Sequence, residues 1–188
     1  SDPMADGPSI QRSSLRALSS GTNIKKILKL VFDFRKKNNL TPIVLMGYLN
    51  PILSFGINNF FKYARKVGVD GLILVDVPPE EDSEIFNLAK KIKIDLIKLA
   101  TPTTSIERLK KILKTCSGFL YYVSIKGITG TKSANPKSVK DSIRNIKKNT
   151  NIPVTVGFGI KSPSDAKIIA NTGCDGIVVG SALVEIIE

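Results

Sequence analysis

Two short β-branched runs near the C-terminal end of the 188-residue sequence stop at glycine: Val154-Thr-Val-Gly-Phe-Gly159 and Gly176-Ile-Val-Val-Gly-Ser181. A helix-like segment follows each. Glycine at a strand end has no Cβ to hold a ligand off the backbone, so strand-end N–H groups and the next helix N-terminus can converge on a dianion. Two such loops from neighbouring strands make one phosphate cradle, the arrangement that follows strands 7 and 8 of a (β/α)8 barrel. The pattern implies an α/β barrel acting on a small phosphate ester.

Four further loops carry groups able to do chemistry on such a substrate. The stretch Ser1-Asp-Pro-Met-Ala-Asp-Gly-Pro8 places Asp6 where a carboxylate can accept a proton, although Asp-Gly-Pro is also ordinary turn chemistry. Gly47-Tyr-Leu-Asn-Pro51 offers Tyr48 and Asn50 to a substrate or partner, or is a plain Asn-Pro turn. Asp76 ends a strand in Asp76-Val-Pro-Pro-Glu80, as a catalytic group or as a cap that orients loops. The polar stretch Ser124 to Pro136, rich in Gly, Ser and Thr, suits a lid that closes over ligand, or an ordinary flexible loop. The sequence contains no His, so general acid–base work falls to carboxylates, Lys, Tyr or Cys, and imidazole ligation of a metal is excluded.

The elements that would position these loops alternate along the chain. Ile24, Ile27, Leu28, Val31 and Phe34 recur at helical spacing before a strand at 42–46. Ile57, Phe60, Phe61, Ala64 and Val67 mark a helix before a strand at 71–75. Ile85, Leu88, Ala89 and Ile92 precede a strand at 94–99, and Ile106, Leu109 and Leu113 one at 119–124. A helix over about 137–148 leads to a strand at 154–156, and Ala166, Ile169 and Ala170 lead to one at 177–179. Near-continuous apolar strands separated by helices indicate a parallel sheet covered on its outer face. Val67-Gly-Val-Asp-Gly71 and Thr172-Gly-Cys-Asp-Gly176 repeat Gly-x-Asp-Gly before a strand, with the first Gly capping a helix and Asp-Gly turning into the strand. That repeat reads as structural punctuation rather than a site.

Length and a hydrophobic content of 42% suit one domain over 1–188 with a sizeable core. Complete eight-stranded barrels typically run to about 250 residues. The expectation is therefore an incomplete (β/α)8 barrel with about six of eight strands, two preceding ones being absent. The net charge of +12 is spread along helical segments with apolar residues between the lysines, and there is no Trp or aromatic-interleaved basic stripe. This is the pattern of solvated outer helices rather than a nucleic-acid surface. Cys116 and Cys174 belong to no CxxC pair and read as reduced, buried cysteines of a cytoplasmic protein; no apolar run reaches about 18 residues.

Five stretches in order, Ser1 to Pro8, Asp70-Gly-x-x-x-Val-Asp-Val-Pro78, Gly127-Ile-Thr-Gly130, Gly157-Phe-Gly-Ile160 and Gly180-Ser-Ala-Leu-Val184, resemble the tryptophan synthase alpha subunit family. The resemblance runs from end to end. It implies a lyase without cofactor that cleaves indole-3-glycerol phosphate to indole and glyceraldehyde 3-phosphate. It further implies that Asp6 accepts the indole N–H and stabilises charge as C3 is protonated. The family's second carboxylate, a Glu, lies a little before the Ser-Asp-Pro motif. By the same pattern Thr129 closes over Asp6, Tyr121 lies beside the substrate, and Ile10, Met46 and Phe158 line the indole pocket. Gly130, Gly159, Gly180 and Ser181 hold the phosphate. Asp2, Pro3, Tyr48, Asn50 and Pro78 match positions near the interface with a PLP-dependent beta subunit, which receives indole through a tunnel in an αββα assembly. Two departures stand out: Ile125-Lys126 replaces the Arg that often follows the Ser ending the sixth strand, and the final C-terminal helix is missing after Glu188. A different sugar-phosphate barrel isomerase, a non-catalytic activating subunit and a basic nucleic-acid module are the alternatives.

Overall fold

The structure, a computed structural model, describes residues 6–124, 135–157 and 159–187. After α1 (Pro8–Ser19) and α2 (Ile24–Arg35) come β1 (Val44–Gly47), α3 (Leu49–Phe55), α4 (Ile57–Val67), β2 (Gly71–Leu74) and α5 (Ser83–Ile92). The second half runs β3 (Asp95–Ala100), α6 (Ile106–Lys114), β4 (Leu120–Val123), α7 (Pro136–Lys147) and β5 (Val154–Gly157). It ends with α8 (Pro163–Ala170), β6 (Gly176–Val178) and α9 (Ser181–Ile187). The described strands are all parallel and lie side by side in sequence order. All six expected strands are present, with ends shifted by a residue or two.

Apolar side chains cover both faces of the sheet. Ile73, Ile97 and Tyr121 form the inner layer, joined by Val44, Leu99, Val123 and Val178. On the outer face Leu72, Leu74 and Leu96 pack against Phe60, Phe61 and Ala64 of α4. Leu120, Val154 and Val156 pack against Leu109, Ile143 and Ile169 of the later helices. Burial on both faces is why the strands read as continuous apolar runs instead of alternating ones. Each fully buried aliphatic side chain contributes about 1.5–3 kcal/mol. The architecture is an incomplete (β/α)8 barrel.

The Gly-x-Asp-Gly repeat is a latch at the strand starts. The amide of Ile43, entering β1, donates to Asp70 Oδ2 at 2.7 Å, and Arg35 at the end of α2 pairs with the same carboxylate. Arg35 also donates from Nε to the Gly68 carbonyl at 2.9 Å and from Nη1 to that of Thr41 at 2.7 Å. At the other copy, the amide of Val154 entering β5 donates to Asp175 Oδ2 at 2.7 Å, while Lys147 at the end of α7 holds Oδ1 at 2.7 Å. That lysine, followed by the Val154 amide, draws the Asp175 carboxyl below the usual carboxylate range. Between these copies Ser117 Oγ accepts from Leu96 N at 2.9 Å, the same bond made by a hydroxyl.

Two elements differ from expectation. Pro8 opens a twelve-residue helix, where proline needs no N–H partner, with Gly7 as its N-cap. The stretch Gly47 to Pro51 is no Asn-Pro turn. Gly47 ends β1, Tyr48 is the N-cap of α3, and Leu49, Asn50 and Pro51 form its first turn. The first four amides of a helix lack internal partners anyway, so Pro51 removes no helical bond there.

Cys116 is buried and Cys174 half-buried, and both are free thiols. Burial pushes the Cys116 thiol up to about 11, so it stays protonated and unreactive at neutral pH. Among the described residues no helix is long and apolar enough to cross a membrane.

Candidate active site

The parallel register brings the strand ends to one rim. Gly47 of β1 is level with Leu74 of β2, and Val123 of β4, Gly157 of β5 and Val178 of β6 form one row. Asp6 reaches this rim from the start of α1. The Tyr48 hydroxyl donates to Asp6 Oδ2 at 3.0 Å, and Gln11 Nε2 donates to the Asp6 carbonyl at 2.8 Å. One turn along, Ser9 Oγ donates to Glu185 Oε1 at 2.5 Å, tying α1 to α9. The helix that follows Asp6 is thereby bonded to the helix that follows the second glycine loop.

That loop and its neighbour leave adjacent strands, since Gly157 pairs with Val178. Gly159 has φ of 78°, a conformation that side chains other than glycine's resist. A Cβ built on Gly180 would meet no atom of the described residues within 4 Å. Ser181 begins α9 immediately after it. Sequence reading foresaw this pair of loops, and the sheet register sets them side by side.

Tyr121 lies 7% exposed on the inner layer, and burial raises its hydroxyl above the usual phenolic range. Its ring occupies the space a Cβ on Gly157 would need: such an atom would sit 2.5 Å from Oη, 2.6 Å from Cε2 and 2.9 Å from Cζ. Gly157 is therefore part of the ring's seat. Gly157→Ala is expected to displace the ring and lower kcat/KM for the phosphate ester at least about tenfold, a loss near 1.4 kcal/mol. Steady-state kinetics on the folded variant check this; unchanged constants would mean the ring shifts without consequence.

Met46 pairs in register with inner-layer Ile73 and is 54% exposed. Ile10, in the first turn of α1, is half-buried. Asp76 makes neither a salt bridge nor a bond to another rim carboxylate among the described residues. Both its oxygens accept from the amide of Leu49, at 2.9 and 3.1 Å. The capping reading of Asp76 holds. Among the expected partner-facing positions Asn50 is exposed and Pro78 half-buried, while the hydroxyl of Tyr48 is turned to Asp6. Asp2, Pro3, Ile125, Lys126, Thr129, Gly130 and Phe158 lie outside the described residues.

Sequence reading missed three working parts of this rim. Gly157 was visible only as part of a glycine motif, with nothing to mark it as the seat of a ring. The Ser9–Glu185 bond spans 176 residues and leaves no local signal. The link from Tyr48 to Asp6 spans 42 residues and is equally invisible to spacing. No group of three or more His, Cys, Asp or Glu among the described residues could hold a metal ion.

The model of the tryptophan synthase alpha chain family matches residues 1–188. The chain belongs to this family. Its members are lyases of tryptophan biosynthesis that cleave indole-3-glycerol phosphate. The tryptophan synthase alpha subunit of Legionella pneumophila is 41% identical, with a TM-score of 0.88 over 98% of this chain and 68% of that one. A chain in the tryptophan synthase complex of Pyrococcus furiosus is 40% identical, with a TM-score of 0.89 over 100% of this chain and 74% of that one. A second Pyrococcus furiosus structure, of the α2β2 complex and its mutual activation, matches at 41% identity and a TM-score of 0.89 over 100% and 75%. The chain thus spans about two thirds to three quarters of these tryptophan synthase alpha structures.

Proposed function

We propose that the rim carrying Asp6 is where this chain cleaves indole-3-glycerol phosphate to indole and glyceraldehyde 3-phosphate. The observation that carries the reading is the Asp6 carboxylate, held by the Tyr48 hydroxyl at 3.0 Å on the rim that also bears the Gly159 and Gly180 loops. The phosphate binds to backbone N–H groups at Gly159, Gly180 and Ser181, remote from the bond that breaks, and its binding energy orients the reacting carbon. Ile10, Met46 and Tyr121 flank the indole. Asp6 accepts the indole N–H and offsets the positive charge that develops on the ring when C3 gains its proton. The family's second carboxylate, the Glu that lies a little before the Ser-Asp-Pro motif, gives C3 that proton and then takes the proton of the glycerol hydroxyl next to the breaking bond. The carbon–carbon bond electrons flow into the ring, releasing indole and the aldehyde. Carboxylates with tuned environments suffice for such proton transfers, so the absence of His is no obstacle to them.

The implied partner is a tryptophan synthase beta subunit, docking around Tyr48, Asn50 and Pro78 beside the same rim and carrying its own PLP. No cofactor is needed in this chain for the lyase step. The reading is tested by measuring indole release from indole-3-glycerol phosphate by the native protein, with and without a beta subunit. Release that rises with the partner supports it. A folded protein that releases no indole under either condition, yet stimulates the beta subunit, would leave an activating subunit instead.

A further inference from the structure

We infer that Asp76 is a positioning residue for the Asp6 carboxylate, acting through the first peptide of α3 and the hydroxyl of Tyr48; this rests on Asp6 being the reacting carboxylate. Asp76 stands two residues past the end of β2 and directs both oxygens at Leu49 N, 2.9 and 3.1 Å away. Leu49 is the first residue of α3, and Tyr48 before it is the N-cap, with extended backbone at φ −114° and ψ 156°. A tyrosine side chain cannot fold back to cap its own helix, and Tyr48 makes no such bond. The helix start is therefore held from a neighbouring strand.

A carboxylate on a helix N-terminal amide is a charge-assisted bond favoured by the helix dipole. Here it fixes the peptide plane that joins Tyr48 to Leu49, and so the direction in which the tyrosine ring leaves the backbone. The ring is a long lever. A small rotation of that plane carries the hydroxyl out of reach of Asp6 Oδ2, now 3.0 Å away. The Asp76 side chain is exposed, but its backbone is anchored, because the next residue, Val77, is buried in the outer core together with Ile52 of α3. Strand end, helix start, hydroxyl and carboxylate thus form one chain of contacts. Misplacement of a reacting group by about 1 Å is enough to lower a rate about a hundredfold.

The test is a double-mutant cycle in the native protein assayed with its beta partner, using Asp76→Ala, Asp76→Asn, Tyr48→Phe and the Tyr48→Phe/Asp76→Ala pair. Asp76→Ala is expected to lower kcat about tenfold or more while KM for indole-3-glycerol phosphate changes less than about threefold. Asp76→Asn recovers most of that loss, because its amide oxygen still accepts from Leu49 N. Once Tyr48 is Phe, removing Asp76 has little further effect, the mark of residues acting in series. A crystal structure of Asp76→Ala is expected to show the Tyr48 hydroxyl beyond about 3.5 Å from Asp6. The inference falls if the two losses multiply independently, if Asp76→Asn is as slow as Asp76→Ala, or if the hydroxyl stays in place in that crystal. Should Asp6→Asn keep the wild-type rate, the reading of Asp6 fails separately, and the crystal structure still decides whether Asp76 sets Tyr48.

Discussion

Asp6→Asn is expected to lower kcat for indole release by about 10²–10⁴-fold, the range a positioned acid–base group supplies, with KM little changed. The substitution keeps the shape of the side chain and leaves an oxygen able to accept the Tyr48 hydroxyl, now bonded at 3.0 Å. It removes the charge that, in the proposed mechanism, balances the ring cation in the transition state. Because the loss arises only where charge develops, it falls on kcat and not on substrate binding. Thermal unfolding of the variant should match that of the parent, since the helix start at Gly7 and Pro8 makes no use of the carboxylate as a cap. Retention of more than about a tenth of the rate by a folded Asp6→Asn protein would remove Asp6 from the mechanism.

The largest expected effect on stability belongs to Lys98. Its ammonium meets Asp82 Oδ2 at 2.5 Å behind the sheet, with side chains only 7% and 1% exposed. Thr115 Oγ1 donates to the same oxygen at 2.7 Å, while Asp82 Oδ1 has no hydrogen-bond partner among the described residues. The trio joins the start of α5, the middle of β3 and the end of α6. Lys98→Ala leaves a carboxylate buried with no countercharge, which costs about 3–5 kcal/mol. That is a large fraction of the 5–15 kcal/mol by which domains are typically stable, so the urea midpoint should fall sharply. Replacing both charges, Lys98→Met with Asp82→Leu, should return the protein to near or above parental stability, because two desolvated ions give way to apolar packing. The exposed pair Arg108–Glu80, at 49% and 45% exposure, is the control, and its loss should shift stability by no more than about 1 kcal/mol. A Lys98→Ala protein as stable as the parent would mean that water reaches Asp82.

The contrast between these two carboxylates shows what sequence can carry. Periodicity located all six strands because burial on both faces leaves an unbroken apolar run, and glycine-ended runs located the two adjacent loops proposed to hold the phosphate. Asp6 was readable through its motif. Lys98 was not: within Asp95-Leu-Ile-Lys-Leu-Ala100 a lysine reads as an outward, solvated residue, and nothing nearby in sequence announces Asp82. The same holds for α3, seven residues long with Asn50-Pro51 in its first turn, where turn chemistry and a helix start use the same residues. Tertiary bonds such as Tyr48 to Asp6 and Leu49 to Asp76 join separate loops, so only the folded chain brings them together.

The latches at Asp70 and Asp175 lie at the opposite end of the strands from Asp6 and the glycine loops. A slip of β1 by one residue would turn Met46 outward and Leu45 inward, and would break the bond from Ile43 N to Asp70 in the same move. Alignment is thus reinforced at the end of the strands away from the proposed site. Loops on the side of the proposed site can gain, lose or exchange residues without touching the latch bonds at Asp70 and Asp175. In this molecule, tolerance of sequence drift around the substrate is purchased at the far end of the barrel, by two aspartates and the cations that hold them.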